Sequence, residues 1–286
     1  MADGNGYILK SYQYLRITIV VLLAALGFAV AFEIVRVPSH CVQGSISAYY
    51  YTPVRPILIA ALIATGCSMI AIKAVHEVED ILLNVAGVMA MIVALVPTGP
   101  PSRLCPADGS KLDLTADTAG FVANNVPALL ASGALAIALT YVIGKTSNRP
   151  AVPHADPNIV KGLTVVGAFI VGGFIWYQTA QDNFLRHAHS WSAAVMFLLI
   201  AVVVIINARR AFSAYARWYG GIVVFMVLAA AGVFAYKLAH SSWRHNVFAI
   251  ELLEIVPFTT FWAVQTVENW NAPIDRVAAS APATAR

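Results

Sequence analysis

An all-α, polytopic membrane bundle of about eight transmembrane helices is the fold this sequence predicts, and three observations predict it. About eight stretches are each long and apolar enough to cross roughly 30 Å of hydrocarbon, which takes about 20 residues of helix. Apolar residues make up 59% of the 286-residue chain and charged residues 11%, too little polar surface for a water-soluble domain of this length. Mean hydropathy is strongly positive, at +0.74.

The first span, Leu15–Val37, follows a polar head, MADGNGYILKSYQYLR, that is too long and polar for the n-region of a signal peptide. No A-x-A-like site follows it, so the span is expected to be retained. The second, Pro56–Ala74, and the fourth, Ala119–Ile143, are also long and clean. The third, Asp80–Val96, is short, begins at the charged run Glu77–Asp80 and stops at Pro97. The fifth, Val160–Ala180, carries Gly167, Gly172 and Gly173, small residues that suit close helix contact. The last three are His189–Asn207, Trp218–Tyr236 and Asn246–Val267.

These spans form one transmembrane domain over residues 1–270, in two four-span halves joined by the polar, proline-bearing linker 144–159. No repeat relates the halves, which speaks against an inverted-repeat transporter. The tail, residues 271–286, is rich in Ala and Pro and is expected to be disordered.

A net charge of +4 would hint at nucleic acid in a soluble chain. Here the basic loops of a cytoplasmic face account for it, and the expected partners are the lipid bilayer and another membrane protein or complex, not nucleic acid. With the N-terminus inside, eleven Lys and Arg fall on the cytoplasmic side and seven outside. Arg209-Arg210 and the group Lys145, Arg149 and Lys161 carry most of that bias. Both termini are therefore expected in the cytoplasm.

Cys41 and Cys105 then share the outer, oxidising side, in the loops after the first and third spans, while Cys67 lies within the second span. A Cys41–Cys105 disulfide is expected, closing a loop of about 64 residues. Free or partly buried thiols are the alternative.

Ionisable groups within hydrocarbon cost roughly 2.5–3.5 kcal/mol each on insertion scales, so they mark candidate sites. Glu251 and Glu254 lie three apart in the last span and share a helix face with Phe258, Trp262 and Gln265. They should sit about 9 and 13 Å down the axis from His245. His40, His187, His189, His240 and His245 all fall at the outer face. His187 and His189 open the sixth span. A zinc site built from His187, His189, His245 and Glu251 is a weaker alternative, because the spacing is no recognised ligand pattern. A His–Glu pairing that orients the bundle or shuttles a proton is another.

The first outer loop, Gln43–Pro53, holds Ser45, Ser47 and three tyrosines from Tyr49. An interfacial aromatic belt is the expected role of those tyrosines. The alternative is a loop folded inward to line an outer pocket, with Ser45, Ser47 or a tyrosine hydroxyl on the glutamates. Asn124 and Asn125, with Asn84 deeper, are expected to hydrogen-bond between helices. The sequence has no Walker A loop, no haem-attachment CxxCH, no GxSxG elbow and no mid-span lysine in the seventh helix.

The runs SISAYYYTPVRPILIAAL, VALVPTG, FVANNVPALLASGAL and VFAIELLEIVPFTTFWAVQTVENW resemble an uncharacterised family of multispan membrane proteins of high-GC Gram-positive bacteria. That likeness covers most of the chain and implies a bacterial plasma-membrane location and this topology, but brings no activity. A more distant likeness is to the CREST membrane hydrolases and receptors, which use a serine, an aspartate and three histidines around zinc. Their HxxxH is missing: His240 and His245 are wrongly spaced, and His187 and His189 are two apart. Only Ser45 or Ser47 fits, so the hydrolase assignment is not carried over.

The sequence thus favours a non-enzymatic accessory or small-ligand or lipid-binding protein, with an outer pocket around Glu251 and Glu254. A metal-dependent hydrolase of a lipid amide or ester and a proton-coupled carrier are the alternatives. No cofactor is strongly implied.

Overall fold

The computed structural model describes residues 2–37, 40–74, 76–99, 114–146, 157–210, 213–240 and 242–270. Among them the chain forms eight α-helices and one short 3-10 helix, with no strand. The α-helices are α1 (Ala2–Arg36), α2 (Arg55–Ala71), α3 (Glu77–Leu95), α4 (Leu114–Thr146), α5 (Pro157–Thr179), α6 (Gln181–Arg210), α7 (Ser213–Ala239) and α8 (Asn246–Glu268). The 3-10 helix, Ser47–Tyr51, precedes α2.

Seven of these helices are long and apolar enough to cross a membrane; α2, at 17 residues, is the shorter one. Pro56 sits in the first turn of α2, where its missing N–H costs nothing. α2 stops at Ala71, before the expected Ala74, and the chain turns at once into α3. Lys73 pairs with Asp80, and the Ala74 N–H reaches the same carboxylate at 3.3 Å. α3 starts at Glu77 rather than Asp80, because Glu77, Glu79 and Asp80 complement the positive end of its dipole.

α6 begins two turns earlier than the hydropathy indicates, so His187 and His189 lie inside it rather than at its opening. One residue, Ala180, joins α5 to α6. Phe184 locks that turn, edge-on to both Trp176 and Tyr177 at 5.1 and 5.4 Å between ring centroids. Residues 144–146 and 157–159, assigned to the linker, are helical; 147–156 and the tail 271–286 lie outside the described residues.

The helices pack in the order α1–α2–α3–α6–α7–α8 and back to α1, which closes a six-helix ring across both halves of the sequence. The α4–α5 hairpin leans on the outside, against α3 and α6. The N-terminal part of α1 and the C-terminal end of α8 share one end of the ring: Gln13 donates to the Trp270 carbonyl at 2.6 Å, and Arg16 to the Gln265 carbonyl at 3.1 Å.

One large apolar cluster fills the middle, with Ile19, Met69, Leu83, Ile200, Tyr219, Phe261 and Trp262 all but fully buried. In lipid there is little hydrophobic gain from helix association, so close packing must hold the ring. The tightest approach is α2 against α3. A methyl on Gly66 would stand 2.6 Å from the Gly87 carbonyl oxygen, and the converse holds. The α5 glycines differ: nothing lies within 4 Å of a methyl at Gly172, and Gly167 and Gly173 meet only ordinary side-chain contacts.

Candidate functional site

At the end of the ring away from Gln13 and Trp270, the loop before α2 folds inward onto α8. Phe248 N–H donates to the Gly44 carbonyl at 2.9 Å, so backbone binds loop to helix. Ser45 Oγ accepts the Ala48 N–H at 2.9 Å and shapes the turn into the 3-10 helix; it does not reach a glutamate. Tyr49, Tyr50 and Tyr51 are buried, which corrects the expected interfacial belt. Their rings face protein: Tyr49 packs near Phe248, and Tyr51 donates its hydroxyl to the Thr98 carbonyl at 2.6 Å. The Arg55 guanidinium caps the Tyr50 ring at 4.4 Å. Burial pushes all three phenols above their usual range.

The inward fold places Ser47 between two spans. Its hydroxyl lies 2.8 Å from His189 Nε2 on α6 and 2.7 Å from Glu251 Oε1 on α8. The second carboxylate oxygen, Oε2, accepts the Ile46 N–H at 2.5 Å and the Ser47 N–H at 3.4 Å. The other imidazole nitrogen, Nδ1, is 2.7 Å from the Val96 carbonyl at the end of α3. Four segments thus converge on one chain: Val96 O, His189, Ser47 and Glu251. His189 is only 5% exposed.

Beneath it lies a cavity of about 50 Å³, lined by Ser47, Glu251, Thr65, Met196, Phe258 and neighbouring apolar side chains. Thr65 Oγ1 faces it with no hydrogen-bond partner among the described residues.

The remaining candidates lie apart from this chain. Glu254 is buried one turn further along α8, and no hydrogen bond or ion pair reaches it among the described residues. His187 is exposed, and His245 sits 3.3 Å from the Gln43 carbonyl through Nδ1. Tyr49 accepts the Gln43 N–H through its phenol oxygen at 3.4 Å. Asn124 and Asn125 bond each other at 3.1 Å instead of another helix, and Asn84 Oδ1 has no partner among the described residues. Cys105 lies outside the described residues, so the expected disulfide does too; Cys67 is a free thiol. Among the described residues no three His, Cys, Asp or Glu side chains converge as a metal site would require, so His187, His189, His245 and Glu251 do not fit a zinc ion.

A second polar chain, not anticipated from the sequence, occupies the opposite end of the ring. Asn207 on α6 donates to Glu79 Oε1 on α3 at 2.7 Å, and Gln265 on α8 donates to Asn207 Oδ1 at 3.3 Å. Glu79 is only 6% exposed. Tyr219 closes the same end by donating to Glu268. In sequence Glu79 belongs to a charged run and reads as a span boundary; its spacing on the buried face of α3 was the available signal.

Fold and composition together define a multi-pass integral membrane protein in contact with lipid. No family model, curated protein or solved structure matches the chain.

Proposed function

We propose that this is a non-enzymatic, proton-responsive membrane protein whose working element is the Glu251–Ser47–His189 chain. The observation that carries the reading is a single hydroxyl, Ser47, within hydrogen-bond distance of both an imidazole and a carboxyl. Counting protons gives it content. Three contacts separate the four groups Val96 O, His189, Ser47 and Glu251, and each contact needs one proton.

A neutral imidazole, a hydroxyl and a protonated carboxyl supply three; so do an imidazolium, a hydroxyl and a carboxylate. In the first state Ser47 donates to His189 and Glu251 donates to Ser47. In the second both directions reverse. The two states differ by one proton step across each Ser47 contact and keep the same net charge. A neutral imidazole facing a carboxylate leaves one contact without a proton, so His189 and Glu251 hold one shared proton between them. Loss or gain of that proton breaks a contact between α6, α8 and the inward loop, which is the means of response.

The same geometry disfavours Ser47 as a nucleophile. Glu251 covers both its Oγ and the Ile46 and Ser47 N–H groups that an oxyanion would need. A cavity of about 50 Å³ has room for one or two waters, not a lipid chain. The family resemblance and the Lys and Arg bias support a bacterial plasma membrane with both termini cytoplasmic.

Infrared titration of the purified protein tests the reading. The protonated-carboxyl stretch of Glu251 should vanish in Glu251→Gln and shift in frequency and midpoint in Ser47→Ala. A pH response identical in wild type and both variants would overturn it.

A further inference from the structure

A groove of about 590 Å³ runs along the seam of α7 and α8, on the outer surface of the ring. Both helices line it, with Trp218 and Phe225 on one wall and Val256 and Thr260 on the other. Trp218 is 62% exposed and Val256 52%, so the groove opens toward lipid and not toward the core. Gly221 widens it: nothing lies within 4 Å of a methyl built there. Thr260 gives its hydroxyl to the Val256 carbonyl at 2.9 Å, which leaves that wall without a free donor.

One end of this apolar trough is charged. Arg217 lines it, is exposed, and has no carboxylate within ion-pair distance among the described residues. The first turn of α7 carries no acidic residue to offset it. Tyr219, two residues on, donates to Glu268 at the last turn of α8, so Arg217 stands at the end of the ring that holds Gln13 and Trp270. From Arg217 to Phe225 the groove runs about 12 Å along α7, most of the roughly 15 Å depth of one leaflet. A cation at the membrane boundary above an apolar trough matches the polarity and length of one phospholipid. The guanidinium fork pairs with phosphate oxygens, and its alkyl stem can lie along the apolar wall. A zwitterionic headgroup brings a second cation to that point, whereas a headgroup of net negative charge does not. A second copy of the chain fits less well, since two-fold pairing over the groove would bring two Arg217 side chains to the same depth.

We propose that the α7–α8 groove is a binding site for an anionic phospholipid, its phosphate on Arg217 and one acyl chain lying over Gly221 between Phe225 and Val256. The site is separate from the Glu251–Ser47–His189 chain and does not depend on the reading of that chain.

The experiment is Trp218 fluorescence of the full-length protein in detergent, titrated with brominated phosphatidylglycerol or with brominated phosphatidylcholine of the same acyl chains. Bromine quenches a tryptophan it approaches closely, and subtraction of the matching Trp218→Phe protein isolates Trp218 among the six tryptophans. Phosphatidylglycerol should bind about fivefold more tightly than phosphatidylcholine, the effect of one interfacial arginine on an anionic lipid. Arg217→Gln should abolish that preference, while Arg209→Gln, which does not line the groove, should keep it. Gly221→Leu should weaken quenching by both lipids and leave the melting temperature unchanged, since the new side chain meets only open space. Equal affinity for the two lipids, a preference lost as fully in Arg209→Gln as in Arg217→Gln, or a Trp218 that neither lipid quenches would overturn the site.

Discussion

Ile46 donates its backbone N–H to Glu251 Oε2 at 2.5 Å across 205 positions of sequence, so the loop before α2 is anchored to the last span. With Phe248 N–H on the Gly44 carbonyl, that bond puts Ser47 where α6 and α8 can both reach its hydroxyl. Position, rather than any unusual residue type, makes the site.

Ser47→Ala removes the one group that both partners share. Unfolding in detergent should become easier by about 1–3 kcal/mol, since two buried polar groups lose a partner. His189 and Glu251 should then titrate as independent groups, seen as two separate steps by infrared or NMR where wild type shows a linked pair.

Gly66→Leu and Gly87→Leu should each destabilise the protein by about 1–3 kcal/mol, because a side chain at either must displace the facing helix backbone. Gly172→Leu should leave the melting temperature unchanged within error. Thermal unfolding of the three variants side by side reads the contrast, and equal shifts would contradict the α2–α3 contact as the close point of the ring.

Thiol counting addresses the expected disulfide. The chain has three cysteines. Denatured but unreduced protein should take up one maleimide, at Cys67, and three after reduction. Three labels before reduction would remove the Cys41–Cys105 pairing.

Alkali should weaken the fold through the tyrosines of the inward loop. Burial raises all three phenols above the ordinary tyrosine range, so the folded state holds those protons more tightly. Stability from this source is complete below pH 10 and falls as pH rises through the raised values. Tyr50→Phe, which keeps the ring under Arg55, should flatten the decline; a decline as steep as that of wild type would assign it elsewhere.

Hydropathy exposed the bundle because hydrocarbon imposes length and composition together. It misplaced the start of α6, since the helix opens with the polar, exposed Gln181, Asp182 and Asn183, where apolar counting finds no span. Glu251 was visible as a charge within a span, and Ser47 as a hydroxyl in a loop with reason to fold inward. His189 was one of five similar histidines, and only the depth of α6 distinguishes it. The Val96 carbonyl, which fixes the imidazole, is backbone and leaves no mark in composition. Asn207 and Glu79 were hidden differently: each sits at a span edge, where polar residues are ordinary.

The anchoring of the loop to α8 also governs how the site is made. Ser47 leaves the ribosome early, and its carboxyl partner follows 204 residues later. At roughly 5–20 residues per second that is a wait of about 10–40 s. Until the eighth helix enters the bilayer, the serine loop has no carboxylate to close upon. A chain truncated before α8 would insert most of its helices and still lack the site, so maturation waits on the synthesis of α8.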